Sequence, residues 1–173
     1  MNLNIGLLLG ESLLAREIAI FFKNFKKKEI NIKFIQSNLS MKEYLKKNIF
    51  KKKEYISNKQ RNENTIIKLI KKKKIDLILS IQHPWILSGK VIKANSNIFN
   101  CHFGKLPNYR GHDPINFAIL NGEKYCFSSL HLISDKVDTG YLVSEKKILI
   151  KLKNPREIEK LMVKQFLAQI KSL

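Results

Sequence analysis

Cysteine is scarce in this sequence. Its 173 residues include only Cys101 and Cys126, which show no Cys-x-x-Cys spacing. A fold stapled by disulfides or built around a cysteine-bound zinc ion needs more cysteines at closer spacings. The composition therefore excludes both classes, and we expect reduced thiols and a cytoplasmic protein.

Long apolar runs are missing as well. No stretch approaches the roughly 20 apolar residues of a transmembrane helix, and Glu11 and Arg16 interrupt the segment where a signal peptide would be apolar. We therefore expect no membrane partner. The length of the chain predicts one domain over 1–173, with no C-terminal accessory domain.

Acidic residues are few, since 14 Asp+Glu face 33 Lys+Arg and the formal net charge is +19. Such an excess is typical of proteins that bind polyanions. The lysines, however, occur in runs among isoleucine and asparagine, as in Lys71–Lys74, which is the pattern of an AT-rich genome. The runs contain few aromatic residues for base stacking and no nucleic-acid-binding motif. The composition therefore argues against nucleic acid as the partner, and a non-enzymatic basic RNA-binding domain stays the alternative.

Apolar runs and helical periodicities alternate along the chain. Strands are predicted at 3–9, 30–35, 75–81, 97–101, 127–133 and 141–150, and helices at 13–25, 41–47, 64–70, 87–93, 113–120 and 156–171. Ser40 is expected to cap helix 41–47, and Asn154-Pro155 the last helix. This order predicts an α/β fold with an open, mostly parallel, Rossmann-like sheet and helices on both faces.

Residues capable of chemistry follow three of the predicted strands. Segment 83–87 follows strand 75–81, Asn100 and His102 end strand 97–101, and segment 135–140 follows strand 127–133. Ligands of open α/β sheets bind beyond the carboxyl ends of the strands, so these segments are expected to share one rim. The four histidines show no recurring metal-ligand spacing, and we expect no metal site.

Three motifs occur in a fixed order: Asn100-Cys101-His102, Leu106-Pro107-Asn108-Tyr109-Arg110-Gly111 and Val137-Asp138-Thr139-Gly140. Each motif alone has an ordinary structural explanation, because histidines at strand ends and Asp-Thr-Gly turns are common. Together with Pro114-Ile115 and Asn121-Gly122 at matching spacing, the set is specific. The chain resembles the 10-formyltetrahydrofolate-dependent formyltransferase family, most strongly from Asp76 to Leu142.

The resemblance implies an enzyme that uses 10-formyltetrahydrofolate as co-substrate and formylates an amine. His102 is suited to move the proton, because its ordinary pKa lies near neutrality. The side chain of Asn100 leaves the same face of an extended chain, which places its amide to donate to the oxyanion. The resemblance assigns to Asp138 the carboxylate that orients the imidazole.

The resemblance also implies a site for the formyl donor. The pteridine pocket is expected to be lined by His83, Trp85, Ile86 and Leu87. The backbone of Asp135 and Val137 is expected to contact the same ring. Lys105 and Arg110 flank the Leu-Pro loop, and we predict that one of them binds a phosphate of the acceptor. Relatives commonly carry Ser-Leu where this chain has Gly104-Lys105, and glycine near Phe127.

The residues after the first predicted strand help to identify the acceptor. Members that act on glycinamide ribonucleotide carry a glycine-rich phosphate loop there, whereas Gly10-Glu11-Ser12 has one glycine and an acid. Members that act on methionyl-tRNA append a C-terminal barrel, for which this chain is too short. Members that act on amino sugars tolerate short or variable C-terminal parts, so the resemblance implies a nucleotide-linked amino sugar as acceptor. A methionyl-tRNA formyltransferase-like enzyme without the C-terminal domain, and a formyltetrahydrofolate hydrolase, stay alternatives.

Overall fold

The computed structural model describes residues 3–24, 30–37, 55–57, 63–150 and 154–172. The chain forms two compact units, Met1–Phe99 and Asn100–Leu173. Strand β5 (Ile98–His102) begins in the first unit and ends in the second. In the described ranges, no helix has the length and apolar character needed to cross a membrane.

The first unit alternates strands and helices. Before β5 it contains β1 (Leu3–Leu9), α1 (Leu13–Asn24), β2 (Ile30–Ser37), β3 (Tyr55–Ser57), α2 (Glu63–Lys72), β4 (Leu77–Ile81) and α3 (Gly89–Ala94). The strand order is β3-β2-β1-β4-β5, and β1 pairs in parallel with β2 and β4. Because β1 is central, consecutive residues Leu7, Leu8 and Leu9 are fully buried, as in strands covered on both faces.

The second unit contains the end of β5, then α4 (Pro114–Leu120), β6 (Tyr125–Leu132), β7 (Leu142–Leu149) and α5 (Pro155–Lys171). The strand order is β5-β6-β7, and β6 and β7 are antiparallel. Helix α5 packs on β6 and β7 and buries Ile158, Met162 and Phe166. The Phe166 ring lies 5.5 Å from that of Phe103, which follows β5 directly. Helix α5 therefore packs against the residue that follows β5, next to the motif Asn100-Cys101-His102.

The predicted fold class is confirmed: the chain is α/β with an open, mostly parallel sheet. Predicted helix 41–47 and its cap Ser40 lie outside the described residues. Strand 75–81 begins later than predicted, at Leu77, because the N–H of Ile75 still bonds to Ile70 O after Lys74 turns the chain at φ 48°. Asn154 caps α5 as predicted, its side chain accepting the Glu157 N–H at 3.0 Å.

Strand β3 was absent from the predicted elements. It has three residues and, among the described strands, pairs with β2 alone, in parallel, at the end of the strand order. A three-residue segment is too short to establish a two-residue period, so its sequence carries no strand signal.

Candidate active site

His102, at the end of β5, lies between two hydrogen-bond acceptors. Its Nδ1 is 3.5 Å from Asp138 Oδ2, and its Nε2 is hydrogen bonded to the backbone carbonyl of Tyr109. The side chain is buried, and burial lowers the pKa of His102, although the Tyr109 bond and the Asp138 charge act in the opposite direction. A lowered pKa favours the neutral ring at neutral pH, and both acceptors are in place to hold a proton that the ring gains.

Asp138 is held in a left-handed backbone conformation, with φ 50°. Its Oδ2 accepts the Gly111 N–H at 2.9 Å, and its backbone carbonyl accepts Arg110 Nε at 3.1 Å. Burial raises its pKa, but the hydrogen bond to His131, the Gly111 N–H and the charge of His102 outweigh burial, and the pKa of Asp138 lies below its ordinary value. The carboxylate is therefore ionised at neutral pH. Such a backbone persists where surrounding contacts fix it, often at a functional site.

His131, on β6, is a member of this cluster that sequence reasoning missed. It is only 1% exposed, and its Nε2 lies 3.4 Å from Asp138 Oδ1 and 3.1 Å from Asn100 Nδ2. From histidine spacing alone, His131 is only one of four possible metal ligands. The sequence did contain a signal that His131 has a polar contact. His131 stands between Leu130 and Leu132, and a polar ring in a buried strand needs a hydrogen-bond partner.

The predicted catalytic residues are thus brought together in the second unit, but through His131. The contacts run from Asn100 to His131, from His131 to Asp138, and from Asp138 to His102. In the described residues, the Asn100 side chain bonds to His131 and not directly to His102 or Asp138. The catalytic roles given to these side chains stay predictions.

The turn that carries Asp138 depends on Gly140. A Cβ atom at Gly140 would lie 1.7 Å from the carbonyl oxygen of Leu132, and Leu132 N–H bonds to Tyr141 O directly beside it. Across the turn, the hydroxyls of Ser134 and Thr139 are 2.7 Å apart. Only glycine allows this close approach, which gives the Val-Asp-x-Gly motif a structural reason.

The loop after β5 is anchored by two residues that the sequence did not single out, Ser129 and Glu145. Ser129 Oγ lies 2.7 Å from Gly104 O and 2.8 Å from Glu145 Oε1, and Glu145 also accepts the Leu106 N–H at 3.3 Å. A Cβ at Gly104 would lie 2.8 Å from His102 Nε2 and 2.6 Å from Tyr109 O. The loop packs so closely on His102 that a side chain at position 104 does not fit unless these neighbours move.

The two predicted acceptor-binding residues are both exposed but have different surroundings. Arg110 lies beside the cluster, where its Nε bonds to the Asp138 backbone. The ammonium of Lys105 stands 5.4 Å from the centre of the Phe127 ring. Lys105 and Phe127, from different segments of the second unit, therefore contact each other.

The residues predicted to bind the formyl donor fall in both units. In the first unit, His83 Nδ1 lies 3.3 Å from Trp85 N and 3.1 Å from Trp85 O, and burial lowers the pKa of His83. Trp85 and Ile86 are exposed by 39% and 67%, whereas Leu87 is buried. In the second unit, Asp135 and Val137 are exposed. Among the residues described, no group of three or more histidine, cysteine or acidic side chains is arranged to hold a metal ion.

Comparison with known proteins shows which family this chain resembles. Residues 23–165 match the family model described as Formyl transferase. The bifunctional polymyxin resistance protein ArnA of Wigglesworthia glossinidia brevipalpis is 37% identical over 89 residues, covering 51% of this chain and 14% of that protein. The methionyl-tRNA formyltransferase of Finegoldia magna is 32% identical over 109 residues, covering 62% of this chain and 34% of that protein.

Solved structures agree on the fold. The phosphoribosylglycinamide formyltransferase of Anaplasma phagocytophilum superposes with a TM-score of 0.79 at 16% identity, over 94% of this chain and 80% of that one. The chain spans no more than about a third of the length of the two sequence relatives.

Proposed function

Because this chain belongs to the formyl transferase family, we propose that it transfers the formyl group of 10-formyltetrahydrofolate to a primary amine, and that the amine is carried by a nucleotide-linked amino sugar. The observation that carries this proposal is the ionised Asp138 carboxylate 3.5 Å from the buried His102 imidazole. Both residues lie inside the segment that the family model matches.

The proposed reaction uses the cluster as a proton relay. The acceptor nitrogen forms a bond to the formyl carbon while His102 takes its proton, and Asp138 stabilises the resulting imidazolium. The formyl oxygen becomes an oxyanion, to which the Asn100 amide donates. Collapse of the intermediate breaks the bond to N10 of tetrahydrofolate, and His102 returns the proton to that nitrogen. The histidine ends the cycle neutral, as it began.

Exposed apolar side chains support the donor assignment. In the second unit, Val137 leaves apolar surface open to a flat pteridine ring, and next to it Asp135 is exposed and offers hydrogen-bond acceptors to a polar ring edge. We propose that these two residues contact the donor. Within the first unit, exposed Trp85 and Ile86, with His83 and buried Leu87 in the same segment, stay the predicted pteridine contacts.

The local structure after β1 helps to decide which acceptor the protein uses. The Gly10 N–H donates to Ile81 O at 2.9 Å, and a Cβ at Gly10 would lie 1.8 Å from Gln82 O. The glycine is therefore required by the approach of another backbone segment, and its N–H is already used. This observation argues against a phosphate-binding loop after β1 and hence against glycinamide ribonucleotide as acceptor.

Arg110 favours an acceptor that carries phosphate. Within the part of the chain that the structure describes, only its Nε is engaged, which leaves the two terminal guanidinium nitrogens for a forked pair of hydrogen bonds. The nucleotide diphosphate of an activated sugar has this chemistry. Methionyl-tRNA is the second candidate, favoured by the Finegoldia magna relative and by the net charge of +19.

The test offers purified protein 10-formyltetrahydrofolate with one acceptor at a time. We expect a formylated nucleotide-linked amino sugar, with formate released only slowly when the amine is left out. Formylation of methionyl-tRNA alone would establish the second candidate, and rapid formate release without amine would establish a hydrolase. If no acceptor is formylated and calorimetry detects no binding of a stable donor analogue to the folded protein, the proposal is wrong.

Replacing Asn100 by Ala is expected to slow formyl transfer by roughly 100-fold or more, because the oxyanion loses a positioned donor. The fall should appear in kcat, since the interaction forms fully only in the transition state. Asn64→Ala, on the exposed face of α2, makes the same chemical change away from the cluster and should leave the rate unchanged. Equal rates for Asn100→Ala and the native protein would remove the oxyanion role.

Replacing both Lys105 and Arg110 by Ala is expected to raise the Michaelis constant for the phosphorylated acceptor by about tenfold or more, because charge-assisted hydrogen bonds to phosphate are lost. The constant for the formyl donor should stay the same. Lys164→Ala, exposed on α5, controls for loss of positive charge. An unchanged acceptor constant in the double variant would show that these cations are not part of the acceptor site.

A further inference from the structure

Glu145, half-buried on β7, has no part in the proposed reaction, yet it contacts the loop that carries Lys105. Its Oε1 accepts the Leu106 N–H at 3.3 Å and lies 2.8 Å from the Ser129 hydroxyl. Ser129 is fully buried, and its Oγ also lies 2.7 Å from Gly104 O. The two side chains therefore hold backbone groups on both sides of Lys105.

The pairing of β6 with β7 produces this anchor. Ser129 and Glu145 are direct partners across the two antiparallel strands. Phe127 lies two residues before Ser129, and residues two apart on a strand share a face of the sheet. The ammonium of Lys105 stands 5.4 Å from the centre of the Phe127 ring. One face of β6 thus contacts both the backbone beside Lys105 and the Lys105 side chain.

The other end of the loop, at Tyr109, has anchors of its own. The Tyr109 N–H donates to Lys105 O at 2.8 Å, and the Tyr109 hydroxyl donates to Glu123 Oε1 at 2.7 Å. The backbone carbonyl of Tyr109 is hydrogen bonded to His102. The hydroxyl and carbonyl contacts do not involve Glu145. A change at Glu145 should therefore affect Lys105 more than His102, and acceptor binding more than proton transfer.

The charge and the hydrogen bonds of Glu145 have opposite effects on a phosphate at this loop. A carboxylate repels a nearby phosphate, so removal of the charge alone would tighten phosphate binding. The hydrogen bonds restrict the backbone that carries Lys105, and a restricted lysine loses less freedom when it binds. Loss of these bonds would weaken phosphate binding. The sign of the change in affinity therefore distinguishes the two roles.

We propose that Glu145 is a positioning residue, which fixes the loop on both sides of Lys105 and thereby holds the ammonium ready for the diphosphate of the acceptor. It acts through the Leu106 N–H and the Ser129 hydroxyl, without touching the reacting atoms. This role rests on the proposed function, in which Lys105 and Arg110 bind a phosphorylated acceptor.

The test measures the binding of adenosine, guanosine, uridine and thymidine diphosphates to the full chain by calorimetry, and follows the one that binds the native protein most tightly. We expect Glu145→Ala to weaken its binding by about tenfold, the scale of one lost hydrogen bond to a charged group. Glu145→Gln keeps a side-chain oxygen acceptor and should bind with native affinity. The two variants have the same net charge, so nonspecific attraction to a basic protein is equal in both.

Control variants separate the loop from general effects of charge. Glu157→Ala removes an exposed carboxylate from α5 and should leave the affinity unchanged. Glu145→Asp keeps the charge but is one methylene shorter, so it replaces Glu145→Ala if that variant does not fold. In a Lys105→Ala background, loss of Glu145 should have no further effect, because the residue that it positions is gone.

Three results of the binding measurements would overturn the proposal. In the first, Glu145→Ala and Glu145→Gln bind the diphosphate equally well, or both bind it more tightly. In the second, the losses caused by Glu145→Ala and Lys105→Ala add fully. In the third, the native protein binds none of the four diphosphates.

Amide hydrogen exchange reports on the loop directly. In Glu145→Ala, the Leu106 N–H should exchange about tenfold faster or more, because its acceptor is lost. The Leu132 N–H, which bonds to Tyr141 O in the same unit, should keep its rate. Unchanged exchange at Leu106 would contradict the positioning role.

The kinetics of the same variants separate this proposal from the proposed function. In Glu145→Ala, the Michaelis constant for the acceptor should rise while kcat stays the same. If diphosphate binding responds as expected in a protein that formylates no amine, the proposed function is wrong and the role of Glu145 stands. If kcat falls while the acceptor constant and the diphosphate affinity stay native, the role of Glu145 is wrong and formyl transfer stands.

Discussion

The variants His102→Ala and Asp138→Asn are each expected to lower kcat for formyl transfer by roughly 100- to 10,000-fold, which is the usual range for general acid–base catalysis. The double variant should be little slower than the worse single variant. The reason is the 3.5 Å contact between the ring and the carboxylate, which makes them one functional unit whose losses do not add. Single-turnover rates of the native, single and double variants measure this coupling.

The folding of each variant must be measured together with its rate of formyl transfer. Asparagine tolerates the left-handed backbone at position 138, and its side-chain oxygen can still accept the Gly111 N–H, so Asp138→Asn should keep the turn. His112→Ala removes an exposed histidine and should retain native activity. Independent, multiplying losses in folded variants would contradict a shared proton relay. Loss of the native melting transition would show that the two residues maintain the fold.

The fold class could be predicted because its signals are local. The buried apolar run of β1 and the Asn154-Pro155 start of α5 are each determined within a few residues, and the structure places both where the sequence predicts them. Strand β3 has no such local signal, because it exists through pairing with β2. Its formation depends on a contact between residues distant in sequence.

The same difference between local signals and long-range contacts applies to the residues of the candidate site. The shared face of Asn100 and His102 follows from the two-residue period of a strand, whereas the role of Asp138 followed only from family resemblance. His131 and Glu145 meet the catalytic segments because β6 and β7 lie next to β5, and no local pattern carries that order. The exposed and buried members of segment 83–87 likewise differ through packing, as Ile86 and Leu87 show. Sequence reasoning therefore names the candidate catalytic residues more readily than the residues that contact them.

Gly140→Ala is expected to destabilise the second unit by about 3 kcal/mol or more and to abolish formyl transfer. Its Cβ would lie 1.7 Å from the Leu132 carbonyl oxygen, and backbone atoms cannot escape by changing a rotamer, so the turn that carries Asp138 must move. Gly122→Ala is the matched control, because Gly122 has φ 68° but nothing within 4 Å of an added Cβ, and left-handed strain alone costs about 1–2 kcal/mol. Thermal and urea unfolding of both variants give the difference. Equal, small losses of stability would show that the close approach at Gly140 does not hold Asp138 in place.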